Sequence, residues 1–250
     1  MSKPSIEIIE TRLFPGVVAD ELVAAIGDAI ADHGSCSLVL SGGQTPASTY
    51  RELSRPPRVS EIDWGNVKMF WGDERFVESD STHSNYNMVD DTLLHNISDP
   101  KPEVFKINTK LKTPEATATA YEQTIRSALE ISETEVPEFD IVLLGIGDDG
   151  HIASLFPKSK LISDNKSLCC AVSKDCGEYP RITLMPAALF SARKIYFLVR
   201  GEDKAEIISR VIAGNESESE LPAMLYRRVP EKVTWFVDSA AGKKIEQSLS

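Results

Sequence analysis

The sharpest chemistry in the sequence stands at Asp149-Gly150-His151. Imidazole titrates near neutrality and is the commonest general base, and a carboxylate two residues away can fix its tautomer. An apolar run over 140–144 leads into Gly145-Ile146-Gly147-Asp148-Asp149-Gly150. These glycines fit the G-x-G-x-x-G pattern of dinucleotide-binding loops. Two features argue against that use: Asp148 and Asp149 lie where a pyrophosphate would have to sit, and Pro157 leaves little room for the long helix of the motif. The glycines are instead expected to hold a tight turn that presents Asp149 and His151. Read on its own, the segment suits a structural histidine equally well.

Three further segments place groups able to bind an anion. After the apolar run 37–40, Ser41-Gly42-Gly43-Gln44-Thr45-Pro46 precedes a helical pattern over 47–53, with Thr45 expected as the helix cap and Pro46 at the first helical position. Gly42 and Gly43 let the backbone approach a ligand closely, and a new helix offers unpaired N–H groups, so phosphate is the natural guest. A ligand-free turn is the alternative, since the Lys of a Walker A loop is missing. After the run 67–71, Gly72-Asp73-Glu74-Arg75-Phe76 reads as a loop with three consecutive charges. Asp73 could orient a base or bind hydroxyls, and the planar fork of Arg75 could clamp a phosphate or an oxyanion; a surface salt-bridge cluster is the alternative. Arg181 and Lys204 read as cations at the ends of two more strands, able to converge on an anion in the first loop. His83 and His95, in polar surroundings, and Arg227 with Arg228 read as solvated.

Something must bring these loops together. Strand-like runs at 6–9, 37–40, 67–71, 140–144, 194–199 and 232–237 alternate with helical patterns at 17–31, 47–53, 115–129 and 205–212. Several runs are apolar throughout, which suits strands covered on both faces. No repeat or low-complexity linker interrupts the alternation. It predicts one α/β domain over 1–250: a doubly wound, mostly parallel sheet with helices on both faces, Rossmann-like but without dinucleotide binding. Ligands of such sheets bind beyond the carboxyl ends of the strands, where these loops fall.

Composition narrows the partners. With 42% hydrophobic and 26% charged residues the chain is ordinary for a globular protein, but 38 acidic against 27 basic side chains give a net charge of −11. Such a field repels polyanions, so neither nucleic acid nor a membrane is expected as a partner. A small anion would need a positive pocket set in a negative surround. Cys36, Cys169, Cys170 and Cys176 have neither a zinc spacing nor the density of a disulfide scaffold, so buried thiols in a reduced, cytoplasmic protein are expected. No apolar run approaches the roughly 20 residues of a membrane span, and no signal peptide opens the chain. No metal or other cofactor is expected, and the chain should be a monomer or a small homo-oligomer.

Taken together, the motifs resemble the 6-phosphogluconolactonases, within the glucosamine-6-phosphate isomerase and lactonase superfamily. The resemblance rests on Ser41 to Pro46, Gly72 to Arg75, Ser84-Asn85-Tyr86-Asn87-Met88, Asp149 to Pro157, Arg181 to Leu184 followed by Ala192-Arg193, Gly201 with Lys204, and the stretch from Trp235 to Ala241. Their joint order covers nearly the whole chain. The resemblance implies that superfamily's fold and hydrolysis of a sugar phosphate lactone, 6-phospho-D-glucono-1,5-lactone, in the oxidative pentose phosphate pathway. It implies His151 as the base, Arg181 and Lys204 at the phosphate, and Arg75 near the lactone. Asp149 or Asp73 would hold the imidazole. Two residues depart from the lactonase pattern: Ile152 replaces a usual Thr, and Gln44 is shared with the amino-sugar phosphate deaminases. Those deaminases carry a Glu five residues after the His, where this chain has Phe156, and a Tyr where it has Arg75. A deaminase and a non-catalytic sugar-phosphate sensor are the alternatives.

Overall fold

A strand with no solvent face must be covered on both sides, and Cys36–Leu40 is such a strand, buried at all its residues. The computed structural model describes residues 3–164, 167–174 and 177–249. In chain order its strands are β1 (Ser5–Ile9), β2 (Cys36–Leu40), β3 (Val67–Trp71), β4 (Asp73–Arg75), β5 (Glu103–Phe105), β6 (Ile141–Leu144), β7 (Cys169–Val172), β8 (Arg181–Leu184), β9 (Lys194–Val199) and β10 (Val233–Asp238). Its α-helices are α1 (Phe14–His33), α2 (Gln44–Leu53), α3 (Arg58–Glu61), α4 (Asn85–Thr92), α5 (Pro114–Ala128), α6 (Pro186–Phe190), α7 (Ala205–Ala213) and α8 (Ser239–Leu249).

Seven strands form one sheet in the order β1-β10-β9-β6-β2-β3-β5, and every neighbouring pair in it is parallel. The chain winds outward from β2 through β3 to β5, returns to β6 beside β2, and winds the other way through β9 to β10. The loops after β2 and β6 therefore part in opposite directions. They open a crevice at the carboxyl ends of two adjacent strands, the switch point at which α/β sheets bind ligands. This is the doubly wound α/β fold.

A second sheet is a correction to the reading of 72–76 as a loop. β4, β8 and β7 pair antiparallel, with Asp73 opposite Thr183 and Arg75 opposite Arg181. Hydrophobic periodicity could not reveal β4, because its three residues are all charged. Arg181 accordingly opens a strand of this small antiparallel sheet and not of the parallel one. The helix after β2 also differs: Gly43, not Thr45, is its cap, and Pro46 is its third residue. Gly43 has φ +102°, a turn that glycine makes at little cost, so the helix starts as soon as the chain has turned. The missing N–H of Pro46 still falls within the first turn, where no intrahelical partner exists.

One apolar cluster runs from Ile9 in β1 to Ile245 in α8. In α1 the spacing of Phe14, Val18, Leu22 and Ile26 puts one buried stripe on the sheet, and Gly34 in the left-handed region ends the helix. Cys36 and Cys169 are buried free thiols, as expected, whereas Cys170 is half-buried and Cys176 lies outside the described residues. Burial pushes both buried thiols well up. Among the described residues no helix is long and apolar enough to cross a membrane.

The end of β3, just before β4, is pinned by one phenol. The buried Tyr121 hydroxyl accepts from the Trp71 N–H at 2.7 Å and donates to the Trp71 carbonyl at 3.0 Å. Tyr121→Phe leaves both main-chain groups without that partner and is expected to cost about 1–3 kcal/mol. Urea unfolding should show a lower midpoint at an unchanged slope.

Candidate active site

The crevice at the switch point is an open cleft of about 540 Å³. Ser41, Gly42 and Gly43 from the loop after β2 form one wall, and Gly145, Ile146, Gly147 and His151 from the loop after β6 form another. The small antiparallel sheet adds Asp73, Arg75 and Arg181. Seven of the ten sequence-nominated residues thus meet in one place. Thr45 sits in the first turn of α2 and does not line the cleft, and neither Asp149 nor Lys204 lines it.

Asp149 instead stands behind His151. Its Oδ1 lies 2.6 Å from His151 Nδ1 and accepts the His151 main-chain N–H at 3.0 Å. A carboxylate only accepts, so Nδ1 carries the proton and Nε2 is the ring nitrogen with a lone pair. Burial pushes the Asp149 carboxyl up, but the hydrogen bonds it accepts from His151 outweigh that and hold the group below the usual carboxylate range. Gly147 makes the arrangement possible, because a Cβ there would run into the His151 ring. The turn closes through Gly147 N–H to His151 O at 2.9 Å and Gly150 N–H to Gly147 O at 3.0 Å. No long helix follows: 152–157 holds a bridge between Ile152 and Leu155 and a turn.

Asp73 does not orient His151, which corrects one of the two expected roles. It is 6% exposed, accepts the Ser154 hydroxyl at 2.6 Å and the Asn85 amide at 3.1 Å, and lies 3.7 Å from Arg181 Nη1. Glu74 is buried too, so the three charges are no surface salt-bridge cluster. Glu74 accepts the main-chain N–H groups of Arg75, Asn85 and Tyr86 and the Ser84 hydroxyl, all within 2.9 Å. It thereby holds the start of α4, whose cap is Ser84. Burial pushes its carboxyl up, and those four donors pull it back.

Arg75 donates to the His83 carbonyl at 2.8 Å, and its buried Nε has no hydrogen-bond partner among the described residues. Arg181 is mostly buried, and Phe156 lies between it and His151: the Phe156 centroid is 4.6 Å from the His151 ring and 5.5 Å from Arg181 Cζ. Lys204, in the turn after β9, pairs with Asp148 on the loop that carries His151. His83 and His95 are exposed, and Arg227 and Arg228 bind Gly214 O and Glu218 away from the cleft. Ile152 is fully buried and Gln44 is exposed. Asn85 was missed by sequence reasoning as a site residue; it lines the cleft, and an Asn just after a Ser cap was the available signal. Among the described residues no group of three or more His, Cys, Asp and Glu side chains could hold a metal ion.

The cleft therefore offers a base with a fixed tautomer, main-chain N–H groups at a glycine turn, and two guanidinium groups against one lining carboxylate. That set can activate water and hold an anion. Comparisons with known proteins identify relatives of the chain. The family model for glucosamine-6-phosphate isomerases/6-phosphogluconolactonase matches residues 14–235. The chain is 33% identical over 220 residues to a protein of Synechocystis sp. named 6-phosphogluconolactonase, covering 88% of this chain and 89% of that one. Its fold matches the 6-phosphogluconolactonase of Trypanosoma brucei with a TM-score of 0.84 at 28% identity, covering 98% of this chain and all of that one. A monomeric glucosamine-6-phosphate deaminase matches with a TM-score of 0.79 at 25% identity, over 96% of this chain and 99% of that one. The chain belongs to the glucosamine-6-phosphate isomerase/6-phosphogluconolactonase family.

Proposed function

We propose that the chain is a 6-phosphogluconolactonase acting as a single cytoplasmic domain. It hydrolyses 6-phospho-D-glucono-1,5-lactone to 6-phospho-D-gluconate in the oxidative pentose phosphate pathway. The observation that carries this reading is the Asp149–His151 pair, 2.6 Å apart, at a cleft that also presents two guanidinium groups. The relatives' names support the same substrate.

Opening a lactone takes one base, one water and stabilisation of the developing oxyanion. His151 Nε2 takes a proton from water as the water oxygen bonds to C1 and the carbonyl electrons move onto its oxygen. Arg75 stabilises that oxygen. When the tetrahedral species collapses, the bond from C1 to the ring oxygen breaks and the imidazolium returns its proton to the departing oxygen. Asp149 holds the ring throughout. Arg181 and the Ser41-Gly42-Gly43 turn take the phosphate, and Lys204 joins from the rim by exchanging Asp148 for it. Binding energy from this remote group brings C1 to the base. Phe156 favours this reading over deamination, because an apolar ring stands against His151 where a second acid–base group would be needed.

In a coupled assay that generates the lactone with glucose-6-phosphate dehydrogenase, His151→Ala should lower kcat by about 10²–10⁴-fold and leave product affinity intact. A variant that keeps wild-type kcat would remove His151 from the mechanism. Arg181→Ala should act chiefly on KM, and an effect confined to kcat would deny it the phosphate. Asp149 is held below the usual carboxylate range, so it should stay ionised as the pH falls into that range and keep its hold on the ring. An NMR titration in which the Asp149 carboxyl takes up its proton above that range would contradict this.

A further inference from the structure

Ser154 has no exposed surface, and it stands three residues beyond His151. Its hydroxyl donates to Asp73 Oδ2 at 2.6 Å, and its N–H donates to Thr183 Oγ1 at 3.2 Å. Asp73 and Thr183 are register partners across β4 and β8, and two positions along the same ladder Arg75 faces Arg181. One buried serine therefore fastens the loop that carries the base to both strands that carry the cations. The backbone beside it is strained to fit: Ala153, which lines the cleft, has φ +46°. A residue with a Cβ stays in the left-handed region only where its surroundings over-determine it, and here both neighbours, Ile152 and Ser154, are fully buried. Phe156, packed against both the His151 ring and Arg181, would pass any shift of the loop to both groups.

We propose that Ser154 is a positioning residue that sets the distance between His151 and the phosphate-binding cations. It touches neither the reacting atoms nor the phosphate. The inference rests on the lactonase reading and adds to it the source of selectivity for a phosphorylated lactone. When the phosphate is bound and the spacing is right, C1 lies within reach of Nε2. Without the Ser154 hydroxyl, Asp73 Oδ2 loses its nearest donor, and Arg181, 3.7 Å away, is the cation it can draw inward. The loop then loses its tie to β4, and a bound phosphate no longer places C1 at the base. A lactone without a phosphate has no such registration to lose.

The test compares 6-phospho-D-glucono-1,5-lactone with unphosphorylated D-glucono-1,5-lactone, using wild type, Ser154→Ala and Ser154→Cys, with thermal unfolding of each. The Cys variant leaves no cavity and loses the strong donor, so it serves even where Ala proves unstable. Both variants should lose about 10²-fold in kcat/KM on the phosphorylated lactone and change by no more than about twofold on the unphosphorylated one. In an Arg181→Ala background the Ser154 substitution should add little further loss. Equal losses on both lactones would mean that Ser154 only stabilises the fold, and an intact preference would mean that it does not set the spacing; either overturns the proposal. A wild type that hydrolyses neither lactone, or both alike, overturns the lactonase reading and this inference with it. A wild type that prefers the phosphorylated lactone beside variants that keep the preference overturns the inference alone.

Discussion

Two buried carboxylates organise this molecule's functional end. A carboxylate withdrawn from water must be hydrogen-bonded or it destabilises the fold by several kcal/mol, and Asp73 and Glu74 stand side by side with almost no exposure. Their side chains therefore have to recruit donors. Glu74 gathers the main-chain N–H groups at the start of α4, and Asp73 gathers Ser154 from the loop after β6 and Asn85 from α4. The three segments that shape the cleft around the small sheet are thus tied together by one demand, and Arg181 lies beside the same carboxylate.

The large sheet supplies what those acids cannot, a fixed crevice. β2 and β6 are parallel neighbours from which the chain departs in opposite directions, so their loops cannot cover one another. Each loop then turns on glycine for a separate physical reason. Gly43 takes a dihedral that side chains avoid, which aims the first turn of α2 at the cleft. Gly147 is small enough for the His151 ring to fold back against the loop and meet Asp149. Backbone permissiveness and close approach thus become a donor surface and an oriented base.

Legibility in the sequence followed apolarity. The runs at 67–71 and 194–199 match β3 and β9 residue for residue, because buried parallel strands advertise themselves by continuous apolar side chains. Asp149 and His151 were visible as candidates, since both belong to one short turn, but which acid holds the ring was not. Hidden were the features that join distant segments through polar groups. β4 carries three charges and no apolar signal, and the role of Glu74 depends on an α-helix start ten residues away. The choice between Asp73 and Asp149 as the partner of His151 turned on a contact across 81 residues, from Ser154 to Asp73, that no local pattern encodes. Thr45 failed as a cap because a local preference for Thr yielded to the glycine turn before it.

The acidic balance of the chain takes on a definite meaning at the cleft. A net charge of −11 opposes the approach of an anion at long range, yet the cleft itself is lined by Arg75 and Arg181 against Asp73. Arg75 is fixed by the His83 carbonyl, Arg181 lies near Asp73, and Lys204 pairs with Asp148 at the rim. Each cation is thus held in place by an oxygen ligand of the protein, and screening confines its effect to roughly 10 Å at ordinary ionic strength. On the proposed reading a phosphate would have to come close before it is attracted, and once there it would compete with protein oxygens for the same donors. Its recognition would then rest on geometry at contact more than on steering from a distance. On that reading the spacing between His151 and the cations, and the buried polar groups that fix it, would matter more to this chain than its overall charge.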